Sequence, residues 1–460
     1  METSALVLNQ RIFFNTDVTH DVSFRIEQLK KLSVTLHKYE KEMLEALKLD
    51  LGKSEKEAYL SEVKSVLGNI EYMLKHVQQF SKATRIRTPW IFWRSQCYTM
   101  PEPYGVVLIM APWNYPLSLI FNPLVGAIAA GNCALVKPSE LAPHAANLIQ
   151  RIIKETFDEN YVAAVLGDHQ ISTKLLEQRF DYIFFTGGTT IGKRVMQAAA
   201  QHLTPITLEL GGKSPCIVDT DAHIPLTAQR IAWGKFMNAG QVCIAPDYLL
   251  VHKDIKDQLI QELAKVIMKF YGSDPLHNDS YGKIINEKHF GRIINLMRNG
   301  TIVHGGIADK SQLKIEPTII TNISWNDPIM QEEIFGPILP IIEYDRLDDV
   351  ITLLKNRPKP LAVYLFSQNK TTQHKIITNT SSGGVCINDT ISQVSIPELP
   401  FGGVGDSGMG RYHGKATFNT FSNIKSVLVV SQWSNLFIHI RYPHVKISLK
   451  TLKNLLRWWR

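Results

Sequence analysis

Cysteine is scarce in this chain of 460 residues. The five, Cys97, Cys133, Cys216, Cys243 and Cys386, are odd in number and widely scattered. No CxxC pair and no Cys/His cluster at ligand spacing occurs, so neither a disulfide framework nor a metal site is supported. That usage suits a reducing cytosol, where a free thiol survives. The N-terminus METSALVLNQRIFFNTD lacks a basic flank followed by a long apolar core, which speaks against a signal peptide. A long apolar run is missing too. Residues 103–136 carry no charge, but Pro112, Asn114, Pro116, Asn122, Pro123, Gly126 and Asn132 interrupt them. Nothing resembling ~20 continuous apolar residues survives, and a buried strand-loop-helix-strand is the better reading.

Acid is absent from the last part of the chain. After Asp406 there is no Asp or Glu but nine Lys and Arg, which leaves 41 of the 50 basic residues against 42 acids in residues 1–406. The body is electrically ordinary, so nucleic-acid binding has no electrostatic support there. Also lacking are a Gly/Pro-rich linker, a low-complexity tract and an internal repeat. The length itself predicts two or three domains, each with a real core.

What is present is alternation. Residues 21–82 repeat apolar positions at helical intervals, as amphipathic helices do. From Tyr104 onward, apolar runs (VVLIM, CALVKP, VAAVLG, DYIFFTG) alternate with helical patterns. Continuous apolar strands between helices predict a parallel sheet covered on both faces, a Rossmann-like domain. A second α/β region follows, with SPCIVD, YLLVHK and PILPIIEY as strands.

Several motifs sit at strand ends. In FFTGGTTIGKRV, Gly187 and Gly192 lie between strand and helix, where a backbone can approach a phosphate or simply turn tightly. Lys137 and Glu140 of CALVKPSE can bind ribose hydroxyls or form a surface ion pair. Asn114 in APWNYP can donate to an oxyanion or form a turn. Glu209 in LELGGK, set among apolar neighbours, can serve as a general base or as an ordinary strand glutamate. Cys243 in GQVCIAP is a candidate nucleophile, whereas Cys216 in SPCIVD reads as core. In EEIFGPILP, Glu332 and Glu333 can be solvated, as adjacent acids usually are, or the apolar run that follows can carry their loop into the core and bring one acid to a ligand.

The order and company of these motifs resemble the aldehyde dehydrogenase family. APWNYP, VKPSE, FTGGTTIG, LELGGK, GQVC, EEIFGP and LPFGGVGDSGMGRYHG match the family's motifs over about residues 20–430. The early APWNYP and the PFGG–SGMG–YHG segment are similar to the class 3 branch, which includes fatty-aldehyde dehydrogenases. The resemblance implies an α/β fold with a Rossmann-type cofactor domain (1–82 and 104–209), a catalytic domain (210–390), oligomerisation segments (83–103 and 391–430) and a basic tail (431–460). It implies Cys243 as nucleophile, Asn114 as oxyanion donor and Glu209 as the base that activates water. It also implies NAD or NADP contacts at Trp113, Lys137, Glu140, Gly187, Gly192, Leu210, Glu333 and Phe335, and no metal. Gly188 departs from the family's more usual serine and loosens the phosphate turn. Glu140 favours NAD over NADP, although class 3 relatives often accept both.

The implied activity is oxidation of medium- or long-chain aliphatic aldehydes to acids through a thiohemiacetal and a thioester, in a cytoplasmic homodimer. The tail SLKTLKNLLRWWR is amphipathic if helical: Leu449, Leu452, Leu455, Leu456 and Trp459 fall within an arc of about 120°. Its cations suit peripheral contact with an anionic membrane, although it is shorter and more charged than the hydrophobic anchor of fatty-aldehyde members. Two readings stand outside this class: a cysteine-dependent esterase or acyltransferase without redox chemistry, and a non-catalytic membrane-associated scaffold.

Overall fold

The computed structural model describes residues 3–89, 92–431 and 448–457. Strands Thr84–Ile86 (β1) and Gln96–Pro103 (β2) precede the first α/β run of Val106–Met110 (β3), Cys133–Lys137 (β4), Val162–Ala164 (β5), Tyr182–Thr186 (β6) and Ile206–Glu209 (β7). The second run is Pro215–Val218 (β8), Tyr248–His252 (β9), Thr301–His304 (β10), a ribbon of Ala308–Asp309 (β11) and Lys314–Ile315 (β12), Thr318–Thr321 (β13), Ile338–Tyr344 (β14), Ala362–Phe366 (β15) and Gly384–Ile387 (β16). Gly408–Met409 (β17) and Ser422–Val429 (β18) close the set.

A six-stranded sheet runs β17-β7-β6-β3-β4-β5, parallel except where β17 joins β7. Every residue of β3, β4 and β6 is buried, as expected of strands covered by helices on both faces. The chain leaves β3 through a proline-rich loop into helix Ser118–Ala130, which ends on Gly131 in the left-handed region. The second sheet, β10-β13-β14-β9-β8-β15-β16, has its own apolar layers.

The N-terminal region is more divided than its periodicity predicts. Helices Val22–Lys38 and Glu40–Leu51 break at Tyr39, and the second stops on Gly52 at φ 67°. A π-turn at Tyr59–Val63 precedes helix Lys64–Phe80. A further helix, Thr3–Phe14, was not legible. It lies against the sheet, and its buried Gln10 Nε2 donates to the Ala134 carbonyl of β4 at 2.9 Å.

Residues 83–103 and the end of 391–430 form a separate three-stranded sheet, β1-β2-β18, in which β18 pairs antiparallel with all eight residues of β2. The earlier part of 391–430 goes elsewhere, since β17 pairs with β7 beside Glu209. In the tail, Leu449–Leu456 is helical, with Leu449 66% exposed. Arg441, Lys446, Trp459 and Arg460 lie outside the described residues. Among the described residues no helix is long and apolar enough to cross a membrane.

Candidate active site

Four neighbouring strands deliver the first sheet's candidates to one edge. Glu209 ends β7, Thr186 and Gly187 end β6, the loop to Asn114 leaves β3, and Lys137 ends β4. The carboxyl ends of parallel strands are where ligands of such sheets bind.

Asn114 is 2% exposed and locked from both ends. Its backbone carbonyl accepts from Lys53 Nζ and from Asn238 Nδ2, both at 2.9 Å. Its side-chain Nδ2 donates to the Gln241 carbonyl at 3.0 Å. An amide nitrogen carries two hydrogens, so one remains for a ligand. Lys53 forms a fully buried pair with Glu62 at 2.6 Å, and Glu62 accepts from the Leu117 N–H at 2.8 Å. The pair thereby grips the Asn114 loop on both sides, and Glu62 stands on the π-turn, a feature frequent at functional sites.

Cys243 follows a tight segment in which Asn238 and Ala239 adopt φ of 50° and 51°. Buried Gln241 fastens it, donating to the carbonyls of Asn238 (2.9 Å) and Lys283 (3.0 Å) and accepting from Ile285 N–H (3.1 Å). The thiol itself is half-buried and unbonded to another cysteine. Burial pushes it up to about 12; the Glu333 and Glu209 carboxylates add to that, while the N–H groups of Cys243 and Ile244 oppose it.

Glu209 is 2% exposed, and neither carboxylate oxygen has a hydrogen-bond partner among the described residues. Burial lifts it well above the ordinary carboxylate range, with Arg411 acting in the opposite sense. Burial also carries Glu333 up to about 8, helped by the Asp247 carboxylate and opposed by the Gly212 N–H, Lys213 and Arg292. Its neighbour Glu332 is exposed, 3.7 Å from Arg292.

Gly211 faces Glu333 so closely that a side-chain carbon there would stand 2.0 Å from Glu333 Oε2. Such a carbon on Gly192 would meet Leu210 Cδ2 at 2.6 Å, so the helix after the phosphate-type turn packs directly on the residue next to Glu209. The Trp113 and Phe335 rings meet edge-on at 5.4 Å, with Phe335 at φ 48°.

Lys137, 3% exposed, pairs with exposed Glu140 at 2.7 Å at the end of β4, so the ion pair exists. Close by in the sheet, Thr186 Oγ1 is buried with no partner among the described residues. An unpartnered hydroxyl, a charged pair and a glycine turn along one strand edge fit a dinucleotide's hydroxyls and phosphates. Among the described residues no His/Cys/Asp/Glu group could hold a metal ion.

Thus Cys243 lies within electrostatic reach of Glu209 and Glu333, Asn114 is tied through the Gln241 carbonyl to the segment before Cys243, and Lys137 with Glu140 stands at the end of β4. Sequence reasoning missed Lys53, Glu62, Asn238 and Gln241. It also missed Asp247, which takes an ion pair from Lys213 and accepts from the Ile334 N–H at 2.8 Å, fixing the loop that carries Glu333. Gln241 lies within the GQVC motif and Asn238 just before it, so both had a positional signal; Lys53 and Glu62 had none.

A doubly wound sheet beside a second α/β unit, with a thiol and an unpartnered carboxylate in electrostatic reach of each other, is a dehydrogenase-type fold. The model of the aldehyde dehydrogenase family matches residues 18–427. The 4,4'-diaponeurosporen-aldehyde dehydrogenase of Staphylococcus aureus is 47% identical over 97% of each chain. The dimeric NADP-preferring aldehyde dehydrogenase of Canis lupus familiaris is 45% identical over 96% of this chain and 97% of its own. A solved structure of the substrate-bound state of Staphylococcus aureus AldH covers both chains completely at 45% identity and a TM-score of 0.95. The chain belongs to the aldehyde dehydrogenase family. It is an enzyme that oxidises aldehydes with NAD or NADP.

Proposed function

We propose that Cys243 is the nucleophile of this oxidation, Asn114 its oxyanion donor and Glu209 its water-activating base. The observation that carries the reading is convergence: a half-buried thiol, a clamped amide with one hydrogen to spare, and an unpartnered carboxylate, delivered by three separate segments. The Cys243 sulfur bonds to the aldehyde carbon, and the resulting oxyanion takes hydrogen bonds from Asn114 Nδ2 and the Cys243 N–H. NAD or NADP, when bound, supplies the acceptor for the hydride that leaves that carbon. Lys137 and Glu140 hold the adenosine ribose, Gly187 and Gly192 the pyrophosphate turn, Glu333 the nicotinamide ribose and Phe335 the ring, with Trp113 and Leu210 bordering the same groove. Glu209 then takes a proton from water as its oxygen attacks the thioester, and the carboxylic acid leaves Cys243 free.

Medium- and long-chain aliphatic aldehydes are the proposed substrates. Tyr115, Met237, Val394 and Phe401 belong, with Cys243, to the half-buried rim of one apolar cluster, a surface suited to a hydrocarbon chain. The proposed assembly is a homodimer: β18 is an edge strand whose Ile424, Leu428 and Val429 are each about half exposed, and such edges pair. Peripheral membrane contact through the tail rests on the exposed Leu449, Lys450, Lys453 and Arg457 of its helix.

The test is formation of reduced dinucleotide with hexanal, dodecanal, hexadecanal and benzaldehyde, run beside Cys243→Ala and a chain truncated after Ser431. Turnover vanishes in Cys243→Ala. A variant that kept its dehydrogenase rate would end the covalent reading, and ester hydrolysis without any dinucleotide-dependent oxidation would favour an acyltransferase.

A further inference from the structure

Glu209 is placed where its working form is disfavoured. A base must be ionised, yet this carboxylate is buried and has no hydrogen-bond partner among the described residues. The titratable groups that face it are the Cys243 thiol, the Tyr182 and Tyr412 phenols and the Arg411 guanidinium, and of these Arg411 alone is positive.

The geometry between them is specific. A side-chain carbon on Gly402 would lie 2.8 Å from Glu209 Oε1 and 3.0 Å from Arg411 Nη1. Those contacts bound the gap at about 6 Å, within the reach over which an opposite charge favours an ionised carboxylate. The guanidinium is anchored there, Nη1 donating to the Gly403 carbonyl at 2.6 Å.

We propose that Arg411 is a positioning residue for the base: across the bare Cα of Gly402 it holds Glu209 ionised and ready to take the proton of the water that attacks the Cys243 thioester. This rests on the role given to Glu209 above. In that step the water oxygen bonds to the acyl carbon, its proton passes to Glu209, the carbon–sulfur bond breaks, and the product leaves as the acid.

The test isolates that half-reaction without dinucleotide. Full-length enzyme is acetylated with p-nitrophenyl acetate and desalted, and loss of the acetyl mass from the Cys243 peptide is followed across pH. In Arg411→Gln the midpoint of hydrolysis moves up by about one unit, so the rate at pH 7 falls roughly tenfold and recovers in alkali. Arg411→Lys keeps most of the wild-type profile, and Glu209→Gln has no rising limb. The pH profile of steady-state aldehyde oxidation is a second readout, with the same upward shift expected. An Arg411→Gln profile superimposed on wild type, with the limb absent in Glu209→Gln, overturns the role of Arg411 alone. A limb that persists in Glu209→Gln overturns the reading of Glu209, and this proposal with it.

Discussion

Replacing Asn114 with alanine separates catalysis from architecture more cleanly than any other change in the site. The loop is held through its backbone: Lys53 and Asn238 both donate to the Asn114 carbonyl, and truncation touches neither bond. The side chain gives up one hydrogen bond, to the Gln241 carbonyl, which still accepts from Asn238 Nδ2 at 3.2 Å. A single exchanged hydrogen bond costs about 1 kcal/mol, so the melting temperature falls by no more than a few degrees. Loss of an oxyanion donor costs ~2.7–4 kcal/mol in the transition state, or about 10²–10³ in kcat. Steady-state oxidation of a fixed aldehyde supplies kcat and kcat/KM, while fluorescence titration supplies cofactor affinity. The expected result is a collapse of kcat with cofactor affinity within about threefold of wild type. A kcat within threefold, or an equal loss of cofactor binding, would refute the assignment of Asn114 as oxyanion donor.

Gly211→Ala forces the Glu333 carboxylate to move, because the new methyl carbon would stand 2.0 Å from Oε2. Cofactor KM rises about tenfold, roughly 1.4 kcal/mol, with a smaller change in kcat, as dinucleotide titration will read. Since burial pushes Glu333 up to about 8, the pH dependence of cofactor affinity should show a step there that Glu333→Gln removes. Burial depresses His413 to about 4, so the folded state holds it neutral while the unfolded chain protonates from about 6.5 downward. Its stability contribution is complete above pH 6.5 and is lost as pH falls toward 4, about 3 kcal/mol in all. Urea melts between those limits should give a flatter curve for His413→Asn, and parallel curves would show that His413 does not drive the acid limb.

The parts of this fold that sequence reveals are those built from continuous apolar runs. VVLIM, CALVK and YIFFT become β3, β4 and β6 because a strand buried on both faces has no polar alternation to confuse its period. The parts that stay hidden depend on pairing across distance. Lys53 in LGKSE reads as a solvated charge, and only its contact with Glu62 and with a carbonyl 61 residues away shows that it is buried. The breaks at Tyr39 and Gly52 are similarly quiet, since the helical period runs through them. For Lys137 and Glu140 the ion-pair reading is the one the structure shows, and the ribose contact belongs to the proposed function. Arg411 shows the limit most sharply: it lies within the LPFGGVGDSGMGRYHG motif, but its relation to Glu209 passes over Gly402, 193 residues from the base, and cannot be read from local spacing.

Burial disfavours the ionised form of three acids in the resting site, Cys243, Glu209 and Glu333, and charge on either carboxylate pushes the thiol further up. Charges in a dry pocket are strongly coupled, so ionising one group makes ionising the next harder. Under the proposed roles this coupling orders the reaction rather than obstructing it. Attack on the aldehyde needs the Cys243 thiolate, and burial that disfavours charge on Glu209 lessens the repulsion that thiolate meets. Hydrolysis needs ionised Glu209, and by then the sulfur is tied up in a thioester and cannot carry charge. Acylation therefore takes the thiolate away as a source of negative charge beside the base. Arg411, anchored to the chain rather than to either acid, supplies a fixed positive potential that acts on Glu209 once that opposition is gone. The burial that disfavours each ionised form thus keeps the two proposed half-reactions from competing for a single negative charge.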